Sequence, residues 1–302
     1  MASVQDANEI RVVFSEPMVV LGRVPARLRP PFFHISPAVD GAFRWSGTTI
    51  LIFTPAKPLP LATKYDVTVD AGAAAVSGRG LAAPFTFSFT TPTARLLQTD
   101  WYRPGGRYDA APVFVLRFNQ PVDPAAVAAH VTARFQRHPF NAPPLSPAGA
   151  QRAGAIDPAA ADAFAAKVKA ASDAAQSIAP VSLVLARTWD TKTYKPSPDL
   201  VVLQAATPVP PESWVALEVD GRVPSRAGSA VSLKPQDYTV QVERAFFADG
   251  FNCTAACDPD SHNGIRFRVA VKADAFAKAL RAVDVTPGRA ERTMTKSAPK
   301  TR

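Results

Sequence analysis

Histidine and cysteine are scarce, with four of one and two of the other among 302 residues. That leaves little material for a metal centre and excludes a disulfide-dense scaffold. No run of about 18 uncharged apolar residues occurs, so nothing reads as a membrane-spanning helix. Glycine, at 15, is outnumbered two to one by 30 prolines. Proline removes a backbone donor and breaks helix interiors, which argues against a helical bundle. Concentrated charge of one sign is also missing from the body of the chain. The formal charge is +9, but Arg289, Arg292, Lys296, Lys300 and Arg302 crowd the last sixteen residues against Glu291 alone. What remains is scattered, solvated surplus, and nucleic acid is not an expected partner. Residues Met1 to Asn8 show neither a basic nor an apolar leader region, so no signal peptide is visible in this chain.

What is present is apolar content of 47% over a length sufficient for two or three cores. It is organised in repeats. Ile10-Arg-Val-Val-Phe-Ser-Glu-Pro-Met18 is matched by Phe114-Val-Leu-Arg-Phe-Asn-Gln-Pro-Val122. Each is an alternating apolar strand with one buried face, followed by a proline that ends it. Ile50 to Val69 is matched by Val201 to Val219, each a strand, a Pro-x-Pro turn and a second strand opening on an aromatic, Tyr65 or Trp214. A third copy begins near Ile265, where Ile265-Arg-Phe-Arg-Val-Ala-Val271 and Asp274 follow Phe114 and Asp123 at a constant offset of 151, with Lys272 standing where proline is expected.

Turn signals such as Asp40-Gly41, Ser46-Gly47 and Ser77-Gly78 punctuate short apolar runs in the first module, which closes on the strict alternation Phe85, Phe87, Phe89. Seven or eight short strands in about 85 residues read as an immunoglobulin-class sandwich. Between residues 141 and 180 the composition shifts to 16 alanines in 40 residues, behind Pro143, Pro144 and Pro147. Asp157-Pro158 is an N-cap and first-turn pair, and Phe164, Val168, Ala171, Ala175 and Ile178 form a helical stripe. The fold class expected is therefore mainly β: tandem Ig-like sandwiches, with an Ala-rich helical insertion in the second. The boundaries expected are 1–93 for the first sandwich, 94–247 for the second with its helix at 157–179, 248–286 for an incomplete third module, and 287–302 for a disordered tail.

Few residues suggest chemistry. Cys253 and Cys257, with three residues between them, are candidates for a small structural disulfide, and their spacing is poor for a redox centre. Asp258 to Gly264 resembles a calcium loop only superficially, because Val269 stands where a bidentate Glu is needed. Neither Gly-x-Ser-x-Gly nor a phosphate-binding glycine loop occurs, and Ser297-Ala-Pro-Lys300 lies in the polar tail. Trp101 and Tyr102 offer either an aromatic surface for sugar or peptide, or packing between one module and the next. No enzyme activity and no cofactor are expected.

The residues Ile10 to Met18, Phe32-Phe-His-Ile-Ser-Pro37, Phe43-Arg-Trp45, Leu51-Ile-Phe-Thr-Pro55 and Phe85 to Thr91 resemble the bacterial Ig-like domain found near the N-terminus of large bacterial alpha-2-macroglobulins. The resemblance covers residues 9 to 92. It implies a periplasmic or surface-anchored, protease-trapping protein, in which these modules are non-enzymatic scaffold. Their partners would be the remaining domains of a larger macroglobulin-like chain and, through it, proteases; membrane contact would come only through a lipid anchor that this chain lacks. The family's Cys-x-Glu-Gln thioester motif is absent: Cys253 is followed by Thr254, Ala255 and Ala256. The chain is thus expected to be a fragment without bait and thioester regions. The alternative expectation is a cell-surface adhesion or glycan-binding Ig-like module.

Overall fold

A computed structural model of the chain describes residues 2–3, 8–22, 29–143, 147–251, 264–280, 283–284 and 292–293. The described residues fall into two compact units. One comprises Met1–Arg137, Ser177–Pro210 and Trp214–Gln241; the other comprises His138–Gln176, Pro211–Ser213 and Val242–Arg302.

The first unit holds two β-sandwiches. In the N-terminal one, β1 (Ala2–Ser3), β2 (Ile10–Val13), β3 (Phe33–Ser36), β4 (Gly41–Ser46), β5 (Ile50–Pro55), β6 (Lys64–Val69) and β7 (Phe85–Thr90) form two sheets of order β1-β7-β6-β3 and β2-β5-β4. Period two decides what lies inside. Ile10 and Val12 of β2 are buried while Arg11 and Val13 are not, and Tyr65, Val67 and Val69 of β6 are buried. These meet Leu51, Phe53, Phe33 and Phe89 in one core. Phe43 lies 4.8 Å from Phe53 and 5.1 Å from Phe33, ring to ring, contacts worth about 0.5–1.5 kcal/mol each beyond their burial.

The second sandwich repeats this plan. β8 (Leu96–Tyr102), β9 (Val113–Phe118), β10 (Val131–Gln136), β11 (Leu183–Leu185), β12 (Leu200–Ala205), β13 (Trp214–Val219) and β14 (Gln236–Gln241) form sheets of order β11-β12-β9-β8 and β10-β13-β14. The ladders agree residue by residue. Val12 opposes Leu51 as Leu116 opposes Val201, and Phe33 opposes Val69 as Val131 opposes Val219. The second register aligns Trp214 with Lys64 and places Val215 opposite the role of Tyr65. The aromatics opening the two strands are therefore one position out of step, because the buried valines and not the aromatics fix the pairing. Helix α1 (Pro124–Ala128) follows β9, capped by Asp123, whose carboxylate accepts from the Ala125 amide at 3.1 Å.

The two sandwiches join through backbone. The Ala230 amide donates to Ala62 O at 2.7 Å, and the Gln120 and Asn119 side-chain amides donate to Pro92 O and Thr93 O, each at 3.1 Å. Ala62, fully buried and left-handed at φ 51°, is approached so closely by Gly228 that a Cβ there would stand 2.3 Å from Ala62 O.

The alanine-rich insertion occupies the connection between β10 and β11 and forms two helices, α2 (Pro147–Ile156) and α3 (Pro158–Gln176). The break falls at Asp157, since a residue before proline avoids the α conformation. Its amide still closes α2 on Ala153 O at 2.9 Å, while its carboxylate accepts from Ala160 of α3 at 3.0 Å. Ala171 and Ala175 of the sequence stripe are buried, Phe164 packs edge-on to Phe247, and Ile178 lies beyond the helix and exposed. In the second unit, β15 (Ala248–Phe251) pairs antiparallel with β16 (Ile265–Phe267), and α4 (Ala273–Ala279) follows. This is the order of β8, β9 and α1, with element starts 152, 152 and 149 residues further on.

Candidate functional surfaces

β9 and β12 are buried on both faces. Phe114, Leu116, Phe118, Val201 and Leu203 point to the sandwich core, whereas Val113, Val115, Leu200 and Val202 form an outer layer roofed by Tyr102, Ala186, Trp189 and Tyr194. Tyr102 stacks on Tyr194 with centroids 5.6 Å apart and planes 15° from parallel, and its hydroxyl accepts from the Asp190 amide at 2.8 Å. The Trp189 indole donates to Tyr194 O at 2.9 Å. Asp190 organises the turn, accepting from the amides of Lys192 and Thr193 and from the Thr193 hydroxyl. The Thr193 bonds hold its carboxyl below the ordinary value, and burial pushes the Tyr194 phenol up. A concavity of about 620 Å³ opens here, lined in part by Tyr102, Arg103, Trp189 and Asp190. The Tyr102 ring is already stacked on Tyr194, and Arg103 is buried, donating to Ala110 O and Val209 O at 2.6 Å each. The arrangement braces a loop against its own sheet. Trp101, half-buried, pairs across the ladder with Phe114.

Among the described residues, two His–Asp pairs form. His34 Nε2 lies 2.6 Å from Asp70, both exposed, and His130 Nδ1 lies 3.5 Å from Asp220. Asp220 also receives the Arg222 guanidinium, which with the Arg222 amide lowers its carboxyl to about 2, so it is ionised near neutral pH and a weak base. Among the described residues no group of three or more His, Cys, Asp or Glu could hold a metal ion.

A closed polar cluster lies in the second unit, and sequence reasoning missed it. Glu212, 5% exposed and left-handed at φ 75°, receives Arg268 Nε at 2.9 Å, Arg268 Nη2, and the Ala245 amide at 3.1 Å. Glu212 O accepts from His138 Nε2 at 2.6 Å, and Arg268 lies over the Phe140 ring at 4.8 Å. Burial pushes the Glu212 carboxyl up, but the Arg268 and Ala245 bonds outweigh it and leave the pKa below the ordinary value. With both carboxylate oxygens bonded inside the protein, the cluster is a clamp and not a reactive acid. Cys253 and Cys257 lie outside the described residues, in the connection between β15 and β16.

The fold is that of tandem Ig-like β-sandwiches with an Ala-rich helical insertion in the second, a mainly β architecture of a non-catalytic domain type. Residues 2–91 match the bacterial Ig-like domain family. The chain is 30% identical over 101 residues to the alpha-2-macroglobulin homolog of Yersinia pestis, covering 30% of this chain and 5% of that protein. It is 27% identical over 135 residues to the alpha-2-macroglobulin homolog of Nostoc sp., covering 42% of this chain and 7% of that protein. The chain therefore spans less than a tenth of the length of these relatives.

Proposed function

We propose that this chain is a non-enzymatic scaffold of two Ig-like sandwiches from a macroglobulin-like, protease-trapping protein of the bacterial cell envelope, carrying neither bait nor thioester. The observation that carries this reading is the joint. Two copies of one sandwich are locked by the main-chain bond from Ala230 to Ala62 and by the side-chain amides of Gln120 and Asn119, the construction of a spacer that fixes one module on the next. Similarity to two alpha-2-macroglobulin homologs supports the parentage. The side chains agree with a structural role: the carboxylates and imidazoles described above are committed to intramolecular partners.

Cross-linking mass spectrometry on cell-envelope preparations tests it, using exposed lysines such as Lys57 and Lys64 as reporters. Cross-links to further macroglobulin-like domains, and to protease after protease challenge, are the expected result. Recovery of the chain from cytosol alone, or a hydrolytic activity that tracks with it through purification, refutes the proposal.

A further inference from the structure

The two sandwiches differ at one edge. In the second, β8 pairs with β9 from Leu96 opposite Phe118 to Tyr102 opposite Val113, so the edge is covered from end to end. Leu96 is the plug. It is 2% exposed, its amide donates to Gln236 Oε1 at 2.9 Å, and its carbonyl accepts from Gln236 Nε2 and the Tyr238 hydroxyl, so the strand bridges both sheets.

The equivalent positions in the first sandwich follow from the ladders. Phe14 donates to Thr49 O as Phe118 donates to Asp199 O, and Val69 opposes Phe85 as Val219 opposes Gln236. Phe14 thus stands where Phe118 stands, and Phe85 and Phe87 stand where Gln236 and Tyr238 cradle the plug. Among the described residues, strand β1 covers only Phe89 and Thr90 of β7, and β2 is the outer strand of its sheet. Between β2 and β7 lies a cleft of about 740 Å³ lined by Val12, Phe14, Met18, Leu81, Phe85 and Phe87, among others. Phe85 is 56% and Val13 71% exposed. Antiparallel alternation turns the Ile10 and Val12 amides toward β5, leaving those of Arg11 and Val13 facing outward along the open edge. An apolar slot beside main-chain groups that no described strand pairs is what strand addition uses: main chain for affinity, alternate side chains for specificity.

We propose that this cleft binds an extended strand donated by a separate polypeptide, antiparallel to β2, with a leucine-sized side chain seated among Phe14, Phe85 and Phe87 as Leu96 is seated in the second sandwich. Apolar Phe85 and Phe87 in place of Gln236 and Tyr238 select a donor with larger apolar side chains at that end. The proposal does not depend on macroglobulin parentage.

The probe is a fluorescent peptide with the sequence of residues 94–102, titrated into the full chain by anisotropy, with amide exchange read by NMR. Saturable binding is expected, with slowed exchange at Arg11 and Val13. About tenfold or greater weakening is expected both for a peptide with aspartate at its Leu96 position and for the Phe85→Asp protein. Since Phe85 is largely exposed, that variant should keep the parent circular dichroism and melting temperature. Absence of saturable binding overturns the proposal, as does binding indifferent to Phe85→Asp. Sedimentation equilibrium supplies the remaining arm: a dimer that protects the same amides without peptide shows that a second copy fills the cleft, and likewise overturns it.

Discussion

Replacing Gly228 by alanine strikes the joint between the sandwiches and leaves both cores untouched. The added methyl would lie 2.3 Å from Ala62 O and 2.6 Å from Leu61 O, against ordinary contacts beyond 3.4 Å, so the two backbones must separate by about an ångström. Ala62 is fully buried and cannot turn aside. Overpacking of this kind costs about 1–3 kcal/mol, and losing the 2.7 Å bond from the Ala230 amide to Ala62 O adds about 1 kcal/mol, for a total of about 2–4 kcal/mol. The assay is hydrogen exchange at the Ala230 amide, whose protection should fall about 30- to 1,000-fold, together with calorimetry, in which the coupled melting of the sandwiches should separate into two transitions. An Ala230 amide exchanging at the parent rate in Gly228→Ala would show that the joint does not rest on this main-chain approach, and with it the rigid-spacer argument would fail.

Three further outcomes follow from other sites. The folded Glu212 carboxyl lies below its ordinary 4.5, so its contribution is whole above that pH and lost as pH falls through the folded value; urea titrations of the parent should weaken in acid, and Glu212→Gln should flatten that dependence while costing about 1–3 kcal/mol near neutrality, since Arg268 loses its closest carboxylate and keeps only Asp249 at 3.8 Å. Tyr102→Phe removes the acceptor of the Asp190 amide and should cost about 0.5–1.5 kcal/mol by chemical denaturation, with tyrosine stacking retained in near-ultraviolet dichroism. Gly154 lies inside α2 with open space at its Cβ position, so Gly154→Ala should raise local helix stability by up to about 1 kcal/mol, read as slower amide exchange across Pro147–Ile156.

The sandwich was legible wherever burial is one-sided. Ile10 and Val12, or Tyr65, Val67 and Val69, announce strands because alternate positions meet different media. The repeat was legible because prolines end equivalent strands in both copies. Legibility failed where the deciding partner is distant. Val113 and Val115 were hidden in a continuous apolar run, since the roof that buries them, Trp189 and Tyr194, arrives more than seventy residues later. Helix α2 was masked by Gly149 and Gly154, which disfavour an isolated helix, and by Pro147, which reads as part of a stiff entry although it opens the first turn. Glu212 gave no signal because its meaning depends on Arg268, 56 residues along the chain, and on a left-handed backbone that no sequence pattern demands.

The placement of α2 and α3 has a consequence for the order of events during synthesis. In the first sandwich β3 waits 36 residues for its partner, from Phe33 to Val69, whereas in the second Val131 waits 88 residues for Val219. Closing the longer loop costs about 0.8 kcal/mol more in chain entropy, and at about 5–20 residues per second the ribosome needs several seconds longer to deliver the partner. During that interval β10 has an unpaired edge. The helical insertion between β10 and β11 accounts for most of that extra wait.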